Sequence, residues 1–202
     1  MTAAVVVPVK AFHAAKVRLA AALDPAARAA LARSMAAHVV AAAAPLAVTV
    51  VCDDPVVADW ATGLGVTVGW TPGLGLDGAV EAGVAAVEAA GATRVVVAHA
   101  DLPLARGLAT LAQPDAAEPT SITIVPDRHA EGTNVIVLPA GCGFRFAYGP
   151  GSFARHRVEA ARLGLAVRVV HDARLGWDVD LPGDLDLPTD AELARACGPS
   201  GR

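Results

Sequence analysis

The chain has 202 residues and a mass of 20.3 kDa; 54% of the residues are hydrophobic, 18% charged and 4% aromatic, which supplies a sizeable core and excludes a disordered chain. Sixteen basic against twenty acidic residues leave a net charge of −4, so there is no positive field to hold a nucleic-acid backbone or an anionic membrane surface. A small molecule is the expected partner.

Every apolar run breaks before the roughly 18 residues of a membrane helix, and the first cation, Lys10, follows the N-terminal apolar stretch instead of preceding it, unlike a secretory signal. Three cysteines (Cys52, Cys142, Cys197), odd in number and without Cys-x-x-Cys spacing, argue against a disulfide framework and against zinc. The expectation is a soluble, cytoplasmic protein of one domain over residues 1–202, with a loosely ordered tail from about residue 188.

In chain order, β-branched runs predict strands at Ala4–Val9, Val48–Cys52, Val66–Val68, Arg94–Ala98, Ser121–Val125, Asn134–Leu138 and Val167–Val170. Several are nearly unbroken Val and Ile, as in parallel strands covered on both faces. Asp24-Pro25 and Asp54-Pro55 each place an N-cap acid before a first-turn proline, predicting helices over Ala26–Ala43 and Val56–Leu64; two more are expected at Ala79–Ala90 and Ala154–Leu163. The alternation implies a doubly wound α/β sheet. Pro126–Thr133 is too short for a crossover helix, so some antiparallel pairing is expected in the second half.

Ligands of open α/β sheets bind at the carboxyl ends of strands. After the first strand, the only two lysines of the chain, Lys10 and Lys16, and then Arg18 form a candidate polyphosphate grip, although a solvated loop fits as well and P-loop spacing is absent. Gly73-Leu-Gly75-Leu-Asp77-Gly78 reads as a flexible loop entering a helix, suited to a nucleotide or to a plain turn. Asp101 ends a hydrophobic strand, and Asp178 and Asp180 share a face if their segment is extended; these acids suit Mg²⁺, while Asp101 and Asp180 also suit helix caps. Gly149-Pro-Gly-Ser152 precedes a helix and could capture a phosphate or carboxylate, or Ser152 could be its N-cap. His129 and His156 are expected on a loop and on a helix surface.

Val-Pro-Val-Lys10 with Ala-Lys16-x-Arg18-Leu, His-Ala-Asp101-Leu-Pro, Pro-Asp-Arg-His-x-x-Gly-Thr133-Asn134, Phe-Ala-Tyr-Gly149-Pro-Gly-Ser152-Phe and Asp178-Val-Asp180-x-Pro-x-Asp-Leu together resemble the guanylyltransferases of deazaflavin (coenzyme F-420) biosynthesis, from about residue 4 to 187. The resemblance implies a Rossmann-like nucleotidyltransferase fold, a mixed, mostly parallel sheet flanked by helices. It also implies transfer from GTP to a small phosphorylated carboxylic acid with Mg²⁺, releasing pyrophosphate. By position it assigns the acceptor to Thr133, Gly149 and Ser152 and the metal to Asp101 and Asp180, and its mechanism sets Lys10, Lys16 and Arg18 around the departing pyrophosphate as the catalytic residues. The residue patterns add Asp178 to the metal candidates and Gly73, Gly75 and Asp77 to the nucleotide candidates. Relatives usually carry Gly-Leu-Asn-x-Ala where this chain has Gly75-Leu76-Asp77-Gly78-Ala79, which weakens the Asp77 assignment, since an acid cannot donate as an amide does.

Members of the family use 2-phospho-L-lactate, phosphoenolpyruvate or 3-phosphoglycerate. The Ala-, Arg- and Val-rich composition suggests a GC-rich, actinobacterial-type genome and favours phosphoenolpyruvate. Other readings are a nucleotidyltransferase for a molybdopterin or sugar phosphate, a glycosyltransferase using Asp-x-Asp, or a nucleotide-sensing module without turnover. The oligomeric state stays open, a homodimer being one candidate assembly.

Overall fold

The computed structural model describes residues 2–114 and 118–196. Strands β1 (Ala3–Pro8), β2 (Ala47–Cys52), β3 (Thr67–Trp70), β4 (Arg94–Ala98), β5 (Ile122–Pro126), β6 (Thr133–Pro139) and β7 (Val167–Val169) form one sheet in the order β3-β2-β1-β4-β6-β5-β7. Six share one direction; β6 runs antiparallel to both β4 and β5. The antiparallel pairing expected after residue 114 is therefore present, and its cause is the short Pro126–Thr133 connection. There the Asp127 carboxylate gathers the backbone N–H groups of His129, Glu131 and Gly132 at 2.7–3.0 Å, an Asx-type turn that leaves no room for a helix.

The helices are α1 (Pro25–Ala42), α2 (Pro55–Gly63), α3 (Gly75–Ala89), the single turn α4 (Leu108–Leu111), α5 (Ser152–Arg162) and α6 (Asp190–Ala196). Asp24 and Asp54 cap α1 and α2 as their sequence context requires, accepting from Ala27 N at 2.8 Å and Val57 N at 3.1 Å. Alternation along each strand divides the core: Val5, Val7, Val50 and Val96 pack with α1 and α2, whereas Val6, Val51, Val95 and Val97 pack with α3 and α5. Both faces are covered, which is why these strands read as continuous valine. Residues 197–202, part of the tail expected to be loose, lie outside the described residues.

Two starts differ from expectation. Helix α3 begins at Gly75 rather than Ala79, so most of the expected glycine loop is the first helical turn. Helix α5 begins at Ser152 rather than Ala154, because Gly151 takes the left-handed conformation (φ 74°) that turns the chain into the helix. Ser152 is thus not the N-cap.

The sheet order turns on β1, with β2 on one side and β4 on the other. A crevice at the carboxyl ends of these strands follows from that topology.

Candidate active site

The crevice is a cleft of about 720 Å³, lined by the segments leaving β1, β2 and β4, by the start of α3 and by Asp180. Lys10, Lys16, Arg18, Gly75, Asp101 and Asp180 all line it. Its centre is a charge cluster: Lys16 Nζ donates to Asp101 Oδ2 at 2.7 Å and to Asp180 Oδ1 at 3.0 Å, and Arg18 stands 3.7 Å from Asp180 Oδ2. Burial acts to lower the Lys16 pKa, but the two carboxylates outweigh it and hold the ammonium above its usual range. Burial likewise acts to raise Asp101, and Lys16, with His99, outweighs it, so Asp101 stays ionised.

Asp101 Oδ1 is buried without a hydrogen-bond partner among the described residues. An unspent carboxylate oxygen beside a second carboxylate suits a hard cation. Among the described residues no group of three or more His, Cys, Asp or Glu is placed to hold a metal. Two carboxylates are nevertheless enough for Mg²⁺, which completes its shell with phosphate oxygens and water.

Asp178 and Asp180 are both half-buried and flank the buried Val179, the alternation that their spacing suggests. Asp184 Oδ2 accepts from Asp180 N and Leu181 N, each at 2.7 Å, and fixes the chain where it enters the short turn Pro182–Leu185. Asp178 accepts from Asn134 Nδ2 (3.4 Å), lies outside the cleft lining, and has its pKa raised by burial and by the charges of Asp101 and Asp180. Arg128 braces this segment, pairing with Asp184, donating to Asp178 O at 3.1 Å and lying over the Trp177 ring at 4.3 Å. The Arg of Pro-Asp-Arg-His therefore holds Asp180 in place at one remove.

Of the three nucleotide candidates in the glycine segment, Gly75 lines the cleft, and its neighbour Leu76 does too. Gly73 does not, and Asp77 is spent inside the fold, its Oδ1 accepting from Tyr148 N at 2.8 Å. That contact needs an acceptor, which Asp provides as well as the Asn of relatives would.

Thr133, Gly149 and Ser152 come together although 19 residues separate the first and last. Ser152 Oγ accepts from Thr133 N at 3.0 Å, and Ser152 N donates to Gly149 O at 3.0 Å. The sheet register pairs Ala98 with Val135 and continues through His99 N to Asn134 O at 3.0 Å, which sets Thr133 beside the segment carrying Asp101. Arg155 ties the glycine turn down through the carbonyls of Ala147, Tyr148 and Pro150.

His156 is not on the helix surface as expected; it is fully buried. Its Nε2 accepts from Ala147 N at 3.1 Å, so the ring proton sits on Nδ1 and is donated to Thr133 Oγ1 at 3.0 Å. Both hydroxyls thus accept within the fold and keep their own protons to donate. The spacing Ser152, His156, Ala160 was the available signal, since i, i+4, i+8 residues share one helix face and all three are buried.

The "Guanylyl transferase CofC like" family matches this sequence over residues 3–187. The chain belongs to this family. It is 38% identical over 185 residues to the phosphoenolpyruvate guanylyltransferase of Rubrobacter xylanophilus, covering 89% of this chain and 90% of that protein. To the enzyme of the same name from Chloroflexus aggregans it is 32% identical over 184 residues, covering 87% and 91%. Among solved structures it is similar to a Methanothermobacter nucleotidyl transferase (TM-score 0.63, 17% identity, 92% and 94% covered). A second is a Leptospira borgpetersenii cytidylyltransferase (TM-score 0.59, 10% identity, 92% and 84% covered). These structures share the fold, and the family members are nucleotidyltransferases. Among the described residues no helix is long and apolar enough to cross a membrane.

Proposed function

We propose that this guanylyltransferase couples GTP to phosphoenolpyruvate, giving enolpyruvyl-2-diphospho-5′-guanosine and pyrophosphate, in the cytoplasm and within coenzyme F-420 biosynthesis. The observation that carries the reading is the Lys16 ammonium shared by Asp101 and Asp180 in the cleft, with the Asp101 Oδ1 atom unspent. Thr133, Gly149 and Ser152 lie outside the cleft lining, with both hydroxyls buried and their protons retained. A phosphate oxygen of the acceptor attacks the α-phosphorus of GTP, the bond to the bridging oxygen of the β-phosphate breaks, and pyrophosphate departs. The attacking oxygen is already ionised at neutral pH, so no serine, cysteine or general base is required. Charge neutralisation and positioning supply the catalysis.

Lys10, Lys16 and Arg18 balance the charge of the triphosphate and of the departing pyrophosphate. Thr133 and Ser152 donate to the acceptor, and Gly149 (φ 97°) lets backbone approach it closely. Asp101 and Asp180 would hold Mg²⁺, which supplies Lewis-acid neutralisation of the phosphates when bound. The phosphoenolpyruvate assignment rests on the relatives that bear that name. It is tested with purified protein and Mg²⁺, offering GTP with phosphoenolpyruvate, 2-phospho-L-lactate and 3-phosphoglycerate in turn and following pyrophosphate and product mass. Pyrophosphate release with phosphoenolpyruvate well above the other two is expected; a preference for either of the others overturns the acceptor.

A further inference from the structure

We infer that Asp53 reads the guanine base, accepting from its N1–H and 2-amino groups at the end of the cleft away from Asp101; this rests on the GTP reading above. Asp53 follows β2 and lines the cleft. Its neighbour Asp54 is spent on capping α2, whereas the exposed Asp53 carboxylate accepts no hydrogen bond and joins no ion pair among the described residues. The chain entering Asp53 is fixed, because Cys52 O receives both Thr71 N at 2.9 Å and Thr71 Oγ1 at 3.3 Å. The backbone that carries Asp53 is therefore held in place, and its carboxylate is chemically unused.

Position agrees with that role. The registers pair Val6 with Val97 and Pro8 with Val51. Continued past the strand ends, they set Asp53 and Asp101 level on either side of the segment leaving β1. Two strand spacings separate them, roughly 10 Å, which an extended nucleotide spans between its α-phosphate and its base. Pro8, Val9, Phe12 and Leu76 supply apolar lining between the two ends. A carboxylate in a cleft for a polyanion is unfavourable unless it meets donors. Guanine alone among the common bases presents two parallel N–H donors on that edge, matching the two oxygens of one carboxylate, whereas adenine and cytosine turn a ring-nitrogen lone pair toward it.

The test compares the parent with Asp53→Ala and Asp53→Asn, using GTP, inosine triphosphate (no 2-amino group), xanthosine triphosphate (a carbonyl there) and ATP. Pyrophosphate release with phosphoenolpyruvate and calorimetric binding of each triphosphate are measured. The parent should favour GTP over inosine triphosphate by about ten- to a hundredfold, the worth of a good bidentate pair. Asp53→Ala should bring that ratio near one, and Asp53→Asn should shift preference toward xanthosine triphosphate, because its amide donates to the new carbonyl. Variants that keep the parent's order of triphosphates overturn the proposal, as does an equal loss with all four, which would place Asp53 on the ribose or phosphates; either result leaves guanylyl transfer standing. A parent without turnover fails the function reading, and calorimetry of GTP against inosine triphosphate then still decides the role of Asp53.

Discussion

Lys16 adopts the left-handed backbone conformation (φ 55°, ψ 38°), which costs a residue with a Cβ about 1–2 kcal/mol, between two short 3-10 turns at Phe12–Ala14 and Val17–Leu19. The strain is compatible with a role because the conformation sets its ammonium between two acids from distant parts of the chain. Asp101→Asn and Asp180→Asn should each leave a folded protein with turnover reduced by at least about a hundredfold, since several kcal/mol of charge stabilisation go with either carboxylate. Saturating Mg²⁺ kinetics beside a thermal melt check this; near-normal turnover in either variant removes that acid from the metal site. Ser152 makes a different prediction. Its Oγ anchors Thr133 N and would also donate to the acceptor, so Ser152→Ala should raise the Michaelis constant for phosphoenolpyruvate about ten- to a hundredfold, the value of one hydrogen bond to a charged group. GTP binding by calorimetry should be nearly unchanged. Phosphoenolpyruvate kinetics equal to the parent's would leave the serine a purely internal brace.

Helix α3 lies unusually close to the sheet at one point. A Cβ on Gly83 would sit 2.6 Å from Val51 Cγ1 and 2.8 Å from Val6 Cγ1, both in the buried core. Gly83→Val should therefore lower stability by about 1–3 kcal/mol through overpacking, read as a fall in the urea midpoint. Gly63 at the end of α2 has nothing within 4 Å of an added Cβ, so Gly63→Ala should raise the midpoint by up to about 1 kcal/mol. Equal effects of the two changes would mean that α3 is free to shift. Elements of this kind were legible because their signals are local: Asp-Pro at two helix starts, unbroken valine in strands covered on both sides. The first turn of α3 was less so. Gly75, Asp77 and Gly78 carry poor helical preference, and what secures that turn is remote, the bond from Tyr148 N to Asp77. The bracing of Asp180 was hidden for the same reason, since the Asp184 carboxylate and the Arg128 side chain that hold the segment come from outside it.

At the scale of the whole molecule, the buried group that answers to acid is His156. Burial, with His99 and Arg155 nearby, lowers its pKa from 6.5 to about 4. Between these values the unfolded chain binds a proton that the folded protein refuses, so stability is fully present above pH 6.5 and falls as pH drops toward 4. The loss is on the order of 3 kcal/mol. Urea midpoints across that range should decline in the parent and decline less in His156→Gln; parallel curves would show that other groups carry the acid sensitivity. None of this was visible from the residue's identity alone, because one histidine on a helix reads as surface until the turn holding Ala147 is folded over it.

The reversed direction of β6 brings the start of a strand to the same rim as the ends of β1, β2 and β4. On the proposed function the chain would divide its labour by sequence order, with residues up to about 101 on the nucleotide side and the two turns at 127–133 and 146–152 on the acceptor side. Each can be altered without rebuilding the other. A chimaera in which residues 127–156 come from a relative with a different phosphorylated acid should change its acceptor and keep its preference among nucleoside triphosphates, and a change in both would show that the two sides are not separable modules.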